Sequence, residues 1–282
     1  MYVTVNDCRL FVDIDGAKLV AEGPVMREKP TMILLHGGPG MDHSMYKPAF
    51  ARLADMAQLV YVDHRGNGRS EDGPSGGWTL DQWGDDVKGL CDVLGIEKPV
   101  VVGTSFGGFV AQAYATRHPE HPGRLILMNS AARLDFGSVV GTASRLSGMA
   151  AWLTTGRFVT DPLELFGTDA FTHFSPLLKT MWPAESPDES RRAVSRNNVL
   201  LHFSQPGGEY WRMDFRPALG RIRCPTLVIG GEDDTITPVE QSAEIAAAIP
   251  EGLAELVRVP GAGHPVFRDD PTILDLIAAR LG

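Results

Sequence analysis

The chain has 282 residues, 43% of them hydrophobic and 22% charged, and its formal net charge is −9. This composition excludes a disordered or fibrous chain, and the acidic balance argues against a nucleic-acid partner, which needs a basic patch. No apolar run approaches the roughly 18 residues of a membrane span. Met1–Asp7 lacks a signal-peptide pattern, and Cys8, Cys91 and Cys224 lie far apart. We therefore expect a cytoplasmic protein with no membrane partner.

Short apolar runs bounded by glycine or proline predict a series of strands along the chain. In chain order they are Arg9–Ile14, Met32–Leu35, Leu59–Val62, Val100–Val102, Leu125–Met128, Leu227–Ile229 and Glu255–Val259. Most are continuously apolar, which is typical of parallel strands covered by helices on both faces. Helical spacing follows Thr79, Thr237 and Pro271, so helices alternate with strands. The pattern predicts an α/β fold with a doubly wound, mostly parallel sheet.

The stretch 133–220 interrupts this alternation. It offers no clear strand, and it contains half of the 22 aromatic residues of the chain. We interpret it as a helical cap, or lid, inserted into a core formed by 1–132 and 221–282. Most of its rings are expected to pack the interior of the insertion. A few are expected to line an apolar cleft between insertion and sheet, a usual place for a ligand.

The pattern Gly-x-Ser-x-Gly occurs twice, around Ser75 and around Ser105. A nucleophilic serine in this pattern sits on a tight turn between a buried strand and a helix, where flanking glycines leave room for the turn. Ser75 follows a loop. Ser105 follows the β-branched run Pro99–Val102 and precedes a helix-like segment, Phe106–Ala115. Ser105 is therefore the predicted nucleophile.

A serine hydroxyl needs a base, and the base needs an orienting carboxylate. Of the eight histidines, His264 follows the last predicted strand and the turn Pro260–Gly263. This places it at the carboxyl edge of the sheet, where Ser105 emerges. Asp233 and Asp234 both follow the preceding predicted strand. We favour Asp234 as the orienting carboxylate and assign Asp233 to the turn.

Attack on a carbonyl also requires hydrogen-bond donors for the developing oxyanion. The N–H of Phe106, directly after the predicted nucleophile, is one candidate. The second is expected in the glycine-rich loop His36–Gly40, which follows the strand predicted at Met32–Leu35. We assign it to Gly38, with Gly37 as the alternative, because glycine allows the backbone to approach a substrate closely.

Together these motifs resemble the α/β-hydrolase superfamily, with the insertion at the usual cap position. The loop His36–Gly40 and the segment Asp63–Ser70 are similar to the proline iminopeptidase branch, whose members remove N-terminal residues from peptides. The resemblance implies a serine acyl-transfer mechanism on a small-molecule substrate, with no metal and no organic cofactor. Asp63 and Arg65 are interpreted as structural residues that tie a turn.

Peptidases of this branch recognise the free amino terminus with acidic side chains near the cap and near the catalytic aspartate. Glu209 is expected at one such position and, with Trp211, is predicted to contact the substrate. Thr235 stands where such relatives can carry a second glutamate. A lone carboxylate would neutralise an ammonium only partly in a dry site.

We therefore expect a serine hydrolase that cleaves an ester, lactone or amide bond of a small, partly apolar substrate. Removal of N-terminal residues from short peptides is the alternative. A hydrolase fold used only for binding is a minor alternative, since the sequence contains candidates for every catalytic position.

Overall fold

A computed structural model describes residues 1–74, 76–134, 192–204 and 207–281. The strands in these ranges are β1 (Tyr2–Val5), β2 (Cys8–Asp15), β3 (Leu19–Glu22), β4 (Val25–Glu28), β5 (Thr31–Leu35), β6 (Gln58–Val62), β7 (Val100–Thr104), β8 (Arg124–Met128), β9 (Thr226–Gly231) and β10 (Ala254–Val259). The α-helices there are α1 (Leu80–Leu94), α2 (Phe106–Arg117), α3 (Asn197–Ser204), α4 (Arg216–Leu219), α5 (Val239–Ala248), α6 (Val266–Asp269) and α7 (Thr272–Ala278). Short 3-10 helices cover His43–Tyr46, Ala49–Leu53 and Glu209–Trp211.

Eight strands form one sheet in the order β1-β2-β6-β5-β7-β8-β9-β10, while β3 pairs only with β4. The pairs β1/β2 and β2/β6 are antiparallel, and every pair from β6 to β10 is parallel. The prediction of a mostly parallel sheet is therefore confirmed. Each predicted strand is present, with its ends shifted by at most two residues. The sequence did not predict β1, β3 or β4.

Apolar side chains pack against both faces of this sheet. Successive residues of a strand point to opposite faces, so a continuously apolar strand supplies two cores. Val101 of β7 belongs to a core that includes Trp83 of α1. Its neighbour Val102 belongs to the other core, which includes Ile277 of α7. The sheet is thus doubly wound, as the sequence predicts.

Helix α1 illustrates how the sequence sets an element's ends. The Thr79 side chain accepts a hydrogen bond from the N–H of Gln82 at 3.1 Å, which caps the N-terminus. The helix ends at Gly95, whose φ of 62° lies in the left-handed region. The start of the helix after Thr79 matches the prediction. Within the described ranges, no helix combines the length and the apolar character needed to cross a membrane.

Residues near the two ends of the predicted insertion pair with each other. Arg133 forms an isolated bridge with Asp214, and the N–H of Phe215 donates to the carbonyl of Ala132 at 2.8 Å. Phe203 of α3 is fully buried in the same core as Trp83. Ser75 and most of 133–220 lie outside the described residues, so the extent of the cap and the role of its aromatic rings stay predictions.

The topology brings several loops to one edge of the molecule. Strands β5, β7, β8, β9 and β10 are neighbours and run in the same direction. Their carboxyl ends therefore lie in a row, which is where ligands bind in open α/β sheets. The loops at these ends carry Gly38, Ser105, Asn129, Asp234 and His264 in that order.

Candidate active site

Ser105 occupies a strained turn between β7 and α2. Its φ of 53° and ψ of −118° are values that a residue with a side chain rarely adopts. Its N–H donates to the carbonyl of Met128 at 2.9 Å, and its own carbonyl accepts from Ser130 Oγ at 3.0 Å. The end of β8 thus holds the turn in place. Strain of this kind is retained where the surrounding structure enforces it, often at functional sites.

Close backbone packing around Ser105 requires the flanking glycines. A Cβ atom at Gly103 would overlap the carbonyl oxygen of Gly107. A Cβ atom at Gly107 would overlap the carbonyl of Leu35, at the end of β5. The start of α2 therefore packs directly on the neighbouring strand ends. The Gly-x-Ser-x-Gly pattern around Ser105 has a steric reason at this position.

Asp234 and His264 form a buried pair at the same edge of the sheet. Oδ2 of Asp234 accepts a hydrogen bond from Nδ1 of His264 at 2.8 Å, and the two residues are only 4% and 5% exposed. A carboxylate only accepts, so Nδ1 carries a proton and Nε2 is the nitrogen that can act as the base. Oδ1 of Asp234 accepts from the N–H groups of Ile236 and Thr237 at 2.8 and 3.0 Å. The pair has the form of an oriented general base.

The environment keeps Asp234 ionised. Burial raises the pKa of its carboxyl, but the charge of His264 and the hydrogen bonds from His264, Asn129 and Ile236 outweigh burial and lower the pKa to about 2. Asp233 is exposed, and its N–H donates to the carbonyl of Ala262 at 2.9 Å. Of the two adjacent carboxylates, the structure brings Asp234 to His264 and leaves Asp233 at the turn.

The loop after β5 presents an uncommitted backbone donor beside Ser105. The N–H of Gly37 donates to the Met45 sulfur at 3.0 Å. For the N–H groups of Gly38 and Phe106, no acceptor is found among the described residues. Between the two glycines proposed from the sequence, Gly38 is therefore the one with an available N–H.

Two side chains fix the peptide planes around Gly38. The carbonyl of Gly37 accepts from Nδ1 of His36 at 2.7 Å. The carbonyl and the N–H of a trans peptide point in opposite directions, so this bond turns the N–H of Gly38 away from His36. The Tyr210 hydroxyl donates to the carbonyl of Gly38 at 3.2 Å. The first bond fixes the peptide plane that carries the Gly38 N–H, and the second fixes the plane that follows it.

His36 and His64 interlock as a neutral pair beneath this loop. The N–H of His64 donates to Nε2 of His36 at 3.3 Å, and Nε2 of His64 donates to the carbonyl of His36 at 3.2 Å. Burial lowers the pKa of His36 and lowers that of His64 well below its usual value. The ring of His64 also stacks on Trp83 and meets the edge of Phe106. The pair thus contacts the carbonyl of Gly37 and the ring of Phe106.

Asp42, His43 and Asp63 form a cluster whose ligand atoms lie within 4.8 Å of one another and could hold a metal ion. Their oxygens, however, are already engaged. Oδ1 of Asp63 accepts from the N–H and Nδ1 of His43 at 2.9 and 2.7 Å, and Arg69 pairs with Asp42 at 2.7 Å. Because a guanidinium already balances the carboxylates, we interpret the cluster as a structural centre of the turn.

The structural interpretation of Asp63 and Arg65 is confirmed. Asp63 ties the turn through His43 and through the N–H of Arg69 at 2.9 Å. Arg65 is almost fully buried and forms a two-pronged ion pair with Asp86 of α1 at 2.7 and 2.8 Å.

Glu209 lies at the N-terminus of α1. Its Oε2 accepts a hydrogen bond from the N–H of Leu80 at 2.6 Å, a favourable position for a carboxylate. The side chain is half-buried, and burial raises its pKa. Trp211 is 48% exposed. The substrate-binding role of both residues stays a prediction, and Glu209 has a structural partner that the sequence did not indicate.

Sequence reasoning missed three residues that bond to the site: Asn129, Tyr210 and Thr237. Oγ1 of Thr237 and Nδ2 of Asn129 donate to Oδ2 of Asp234 at 2.8 and 2.6 Å. Asn129 directly follows a predicted strand, which is the same signal that pointed to Asp234. No sequence signal indicates that Tyr210 reaches Gly38.

Comparison with known proteins places this geometry in a family. Residues 30–271 match the alpha/beta hydrolase fold family. The proline iminopeptidase PfmaB of Pestalotiopsis fici is 33% identical over 268 residues, covering 91% of this chain and 92% of that protein. The crystal structure of the enol-lactonase from Burkholderia xenovorans LB400 is 28% identical, has a TM-score of 0.65, and covers 99% of this chain and 98% of that one.

A further structure supports the fold. The proline iminopeptidase of Mycobacterium smegmatis is 23% identical and has a TM-score of 0.75, with coverage of 100% of this chain and 97% of that one. The chain therefore belongs to the α/β-hydrolase fold family and is a serine hydrolase.

Proposed function

We propose that the enzyme hydrolyses an ester, lactone or amide bond of a small, partly apolar substrate through an acyl-enzyme formed on Ser105. The observation that supports this most directly is the buried Asp234–His264 pair, with 2.8 Å between Oδ2 and Nδ1, at the sheet edge that carries the strained serine turn. A buried carboxylate that orients an imidazole is the arrangement that general-base catalysis needs.

In the first half of the reaction, Oγ of Ser105 attacks the substrate carbonyl carbon while Nε2 of His264 takes its proton. The carbonyl oxygen becomes an oxyanion, which the N–H groups of Gly38 and Phe106 stabilise. Asp234 stabilises the imidazolium that forms. The bond to the leaving group then breaks, and the leaving oxygen or nitrogen takes the proton from His264.

In the second half, a water molecule attacks the acyl carbon as His264 takes one of its protons. The oxyanion forms again at the same pair of N–H groups. Collapse breaks the bond to Oγ of Ser105, which recovers a proton from His264, and the carboxylic acid leaves. One water is consumed and the enzyme returns to its starting state.

The surroundings of Glu209 favour an uncharged substrate. A substrate ammonium would have to share this carboxylate with the N–H of Leu80, and burial already disfavours its ionised form. At the position where related peptidases can carry a second glutamate, this chain has Thr235, which is exposed. The similarity to an enol-lactonase supports the same substrate class.

Removal of N-terminal residues from peptides is the second candidate. It is favoured by the 33% identity to a proline iminopeptidase. It is also favoured by the position of Glu209, whose neighbour Tyr210 bonds to Gly38 of the proposed oxyanion loop. In this case Glu209 would bind the amino terminus.

We also propose that 133–220 forms the cap of this enzyme and that the enzyme acts in the cytoplasm. The bridge between Arg133, the first residue of this segment, and Asp214, near its other end, brings the two ends of the segment close together, which supports an insertion. Cys8, Cys91 and Cys224 are all buried free thiols, which suits a reducing compartment.

Labelling with a fluorophosphonate probe tests the nucleophile. The wild-type enzyme should be labelled at one serine, and Ser105→Ala should abolish both labelling and turnover of p-nitrophenyl acetate. Ser75→Ala is the matched control, because it alters the other Gly-x-Ser-x-Gly pattern, and should leave labelling intact. Full labelling of Ser105→Ala, or no labelling of the wild type, would refute the proposal.

A substrate panel distinguishes the two candidates. We expect kcat/KM for short acyl esters and lactones to exceed that for prolyl and alanyl anilides by about tenfold or more, since the anilides carry an ammonium that lacks a second carboxylate. The opposite ranking would establish the aminopeptidase.

A further inference from the structure

Asn129 connects the loop that carries Asp234 with the loop that carries His264. It follows β8, which lies between the strand that precedes Ser105 and the strand that precedes Asp234. Its side chain is fully buried. Nδ2 donates to Oδ2 of Asp234 at 2.6 Å and to the carbonyl of Gly263 at 3.2 Å. One amide group therefore contacts Asp234 and the residue directly before His264.

Three donors converge on the same oxygen of Asp234. Oδ2 accepts from Nδ1 of His264, Oγ1 of Thr237 and Nδ2 of Asn129, at 2.8, 2.8 and 2.6 Å. His264 gains and loses a proton during the proposed cycle, whereas Asn129 stays neutral and keeps its donor. Asn129 can therefore hold Oδ2 in place while the charge on His264 changes.

The backbone of Asn129 is also suited to this contact. Its φ of 45° lies in the left-handed region, which asparagine tolerates better than most residues. Its N–H donates to the carbonyl of Ile229 at 2.9 Å, which ties the turn to β9. The turn and the side chain thus bond to the same neighbouring strand and its loop.

The oxygen of the Asn129 amide group is a source of destabilisation. Oδ1 of Asn129 is buried and has no hydrogen-bond partner in the described part of the chain. An unsatisfied buried oxygen destabilises a protein, and an apolar residue would avoid that cost. Turning the amide over would bring Oδ1 against the Asp234 carboxylate, so the donor end must face Asp234. The contact with Asp234 is the feature that offsets the unsatisfied oxygen.

We propose that Asn129 is a positioning residue for hydrolysis: it holds Oδ2 of Asp234 in line with Nδ1 of His264. The inference rests on the proposed function, and Asn129 acts through Asp234 without touching the reacting atoms. The imidazolium that Asp234 stabilises forms only on the reaction path. Loss of the contact therefore affects kcat more than KM.

Two substitutions test this role, and both tolerate a positive φ. Asn129→Gly removes the donor without backbone strain. Losing a hydrogen bond to a charged group should lower kcat about tenfold with KM changed by less than about twofold. Asn129→Asp keeps the shape but replaces Nδ2 with an oxygen and adds a second carboxyl group beside Asp234. We expect a larger loss of kcat for this variant near neutral pH, because like charges repel.

The pH dependence of Asn129→Asp separates positioning from packing. When the introduced carboxyl group is protonated it again donates to Oδ2, so the ratio of variant to wild-type kcat should rise as pH falls from about 8 to about 5. A packing defect would leave this ratio constant. In the described part of the chain, the ionisable groups bonded to this cluster are Asp234, His264 and Asp269, the last through the N–H of Gly263 at 2.8 Å. All three are unchanged in both variants.

Thermal unfolding and circular dichroism first establish that each variant is folded. A kcat within about twofold of wild type for both variants, or a rise in KM alone, would overturn the inference. A pH-independent ratio for Asn129→Asp would do the same. The variant Ser105→Ala distinguishes a failure of this inference from a failure of the proposed function. If that variant stays active, hydrolysis by Ser105 is wrong; if activity depends on Ser105 but not on Asn129, only this inference is wrong.

Discussion

The two halves of the candidate active site are built in different ways. On the acid–base side, formed by the loops after β8, β9 and β10, side chains bond to one carboxylate, Asp234. On the oxyanion side, which carries the N–H groups of Gly38 and Phe106, side chains bond to backbone groups. His36 bonds to the carbonyl of Gly37, and Tyr210 bonds to the carbonyl of Gly38.

This difference follows from what each half must supply. A carboxylate has to stay ionised although it is buried, so it needs several donors. A backbone N–H carries no net charge and needs only a fixed direction, which the bonds to the neighbouring carbonyls give. Neutral His36 and Tyr210 provide these bonds without adding a charge that would compete with the oxyanion.

The oxyanion side has a further connection, to the described part of the predicted cap. The N–H of Arg196, which follows most of the predicted cap in sequence, donates to the carbonyl of Gly40 at 2.7 Å. Its guanidinium donates to the carbonyls of Gly68 and Ser70, each at 3.0 Å. Asn67 accepts from the N–H of Gly40 at 2.6 Å. Residues from the turn after β6 and from the described part of the predicted cap therefore hold the same glycine.

The strongest test of the acid–base side removes its charge. Asp234→Asn should lower kcat for p-nitrophenyl acetate by roughly 10³-fold or more, because the amide no longer holds the tautomer or stabilises the imidazolium. Asp233→Asn is the matched control and should change kcat by less than about twofold, since an exposed turn carboxylate contributes little. Comparable losses in the two variants would contradict the assignment of Asp234.

The oxyanion side is tested by moving its N–H. Gly38 has a φ of 128°, and a Cβ atom there would lie 3.2 Å from the N atoms of Gly40 and Met41. Gly38→Ala should therefore turn the peptide and lower kcat about 10²-fold while KM changes little. Gly220→Ala is a suitable control, because a Cβ atom at that exposed position meets nothing within 4 Å. Unchanged kcat in Gly38→Ala would remove this N–H from the mechanism.

The sequence predicts those parts of the site that depend on local order. Ser105 is found because strand, serine and helix are contiguous, and the steric need for glycine is visible in the same few residues. Asp234 and His264 are brought together because each lies in the loop that follows one of two paired parallel strands. The parallel order of the strands brings these two loops together, which the spacing of the residues in the sequence alone does not show. The sequence therefore predicts the fold and the Asp234–His264 pair well.

The remaining contacts join residues that the sequence does not connect. Asn129 and Asp234 are 105 positions apart, Tyr210 and Gly38 are 172 apart, and Glu209 and Leu80 are 129 apart. The hairpin of β3 and β4 was missed for a different reason. Its strands have four residues each, and nearly all of those residues are exposed, so no hydrophobic alternation marks them.

A smaller effect is expected on stability at acid pH, because His64 on the oxyanion side is buried in its neutral form. The folded pKa of His64 is well below that of the unfolded chain, so between these values only the unfolded chain binds the proton. The free energy of unfolding therefore falls as pH drops below about 6.5, by about 1.4 kcal/mol per pH unit for each such histidine. His64→Gln keeps a side-chain N–H for the carbonyl of His36 and removes the titrating group. The free energy of unfolding is measured by urea unfolding at several pH values below about 6.5. Its slope against pH should be smaller in the variant by about that amount.

Measurements above about pH 7.5 provide the control for this variant, because both forms of the chain then hold His64 neutral and the two slopes should coincide. An unchanged slope at acid pH would show that His64 takes up its proton in the folded state. In that case the oxyanion side would carry a charge, and its contrast with the acid–base side would disappear.

The smallest expected effect concerns Glu209. This residue directly precedes Tyr210, which bonds to the carbonyl of Gly38, and it accepts a hydrogen bond from the first residue of α1. Glu209→Gln retains an oxygen that can accept from the N–H of Leu80, so for an enzyme acting on uncharged esters kcat/KM should change by less than about twofold. The same small change is expected for alanyl anilide, because this carboxylate already accepts a hydrogen bond from the N–H of Leu80. The measurement compares both substrates in one preparation of the variant. A selective loss with the anilide would show that Glu209 binds an amino terminus, and would make the oxyanion side the half that also selects a charged substrate.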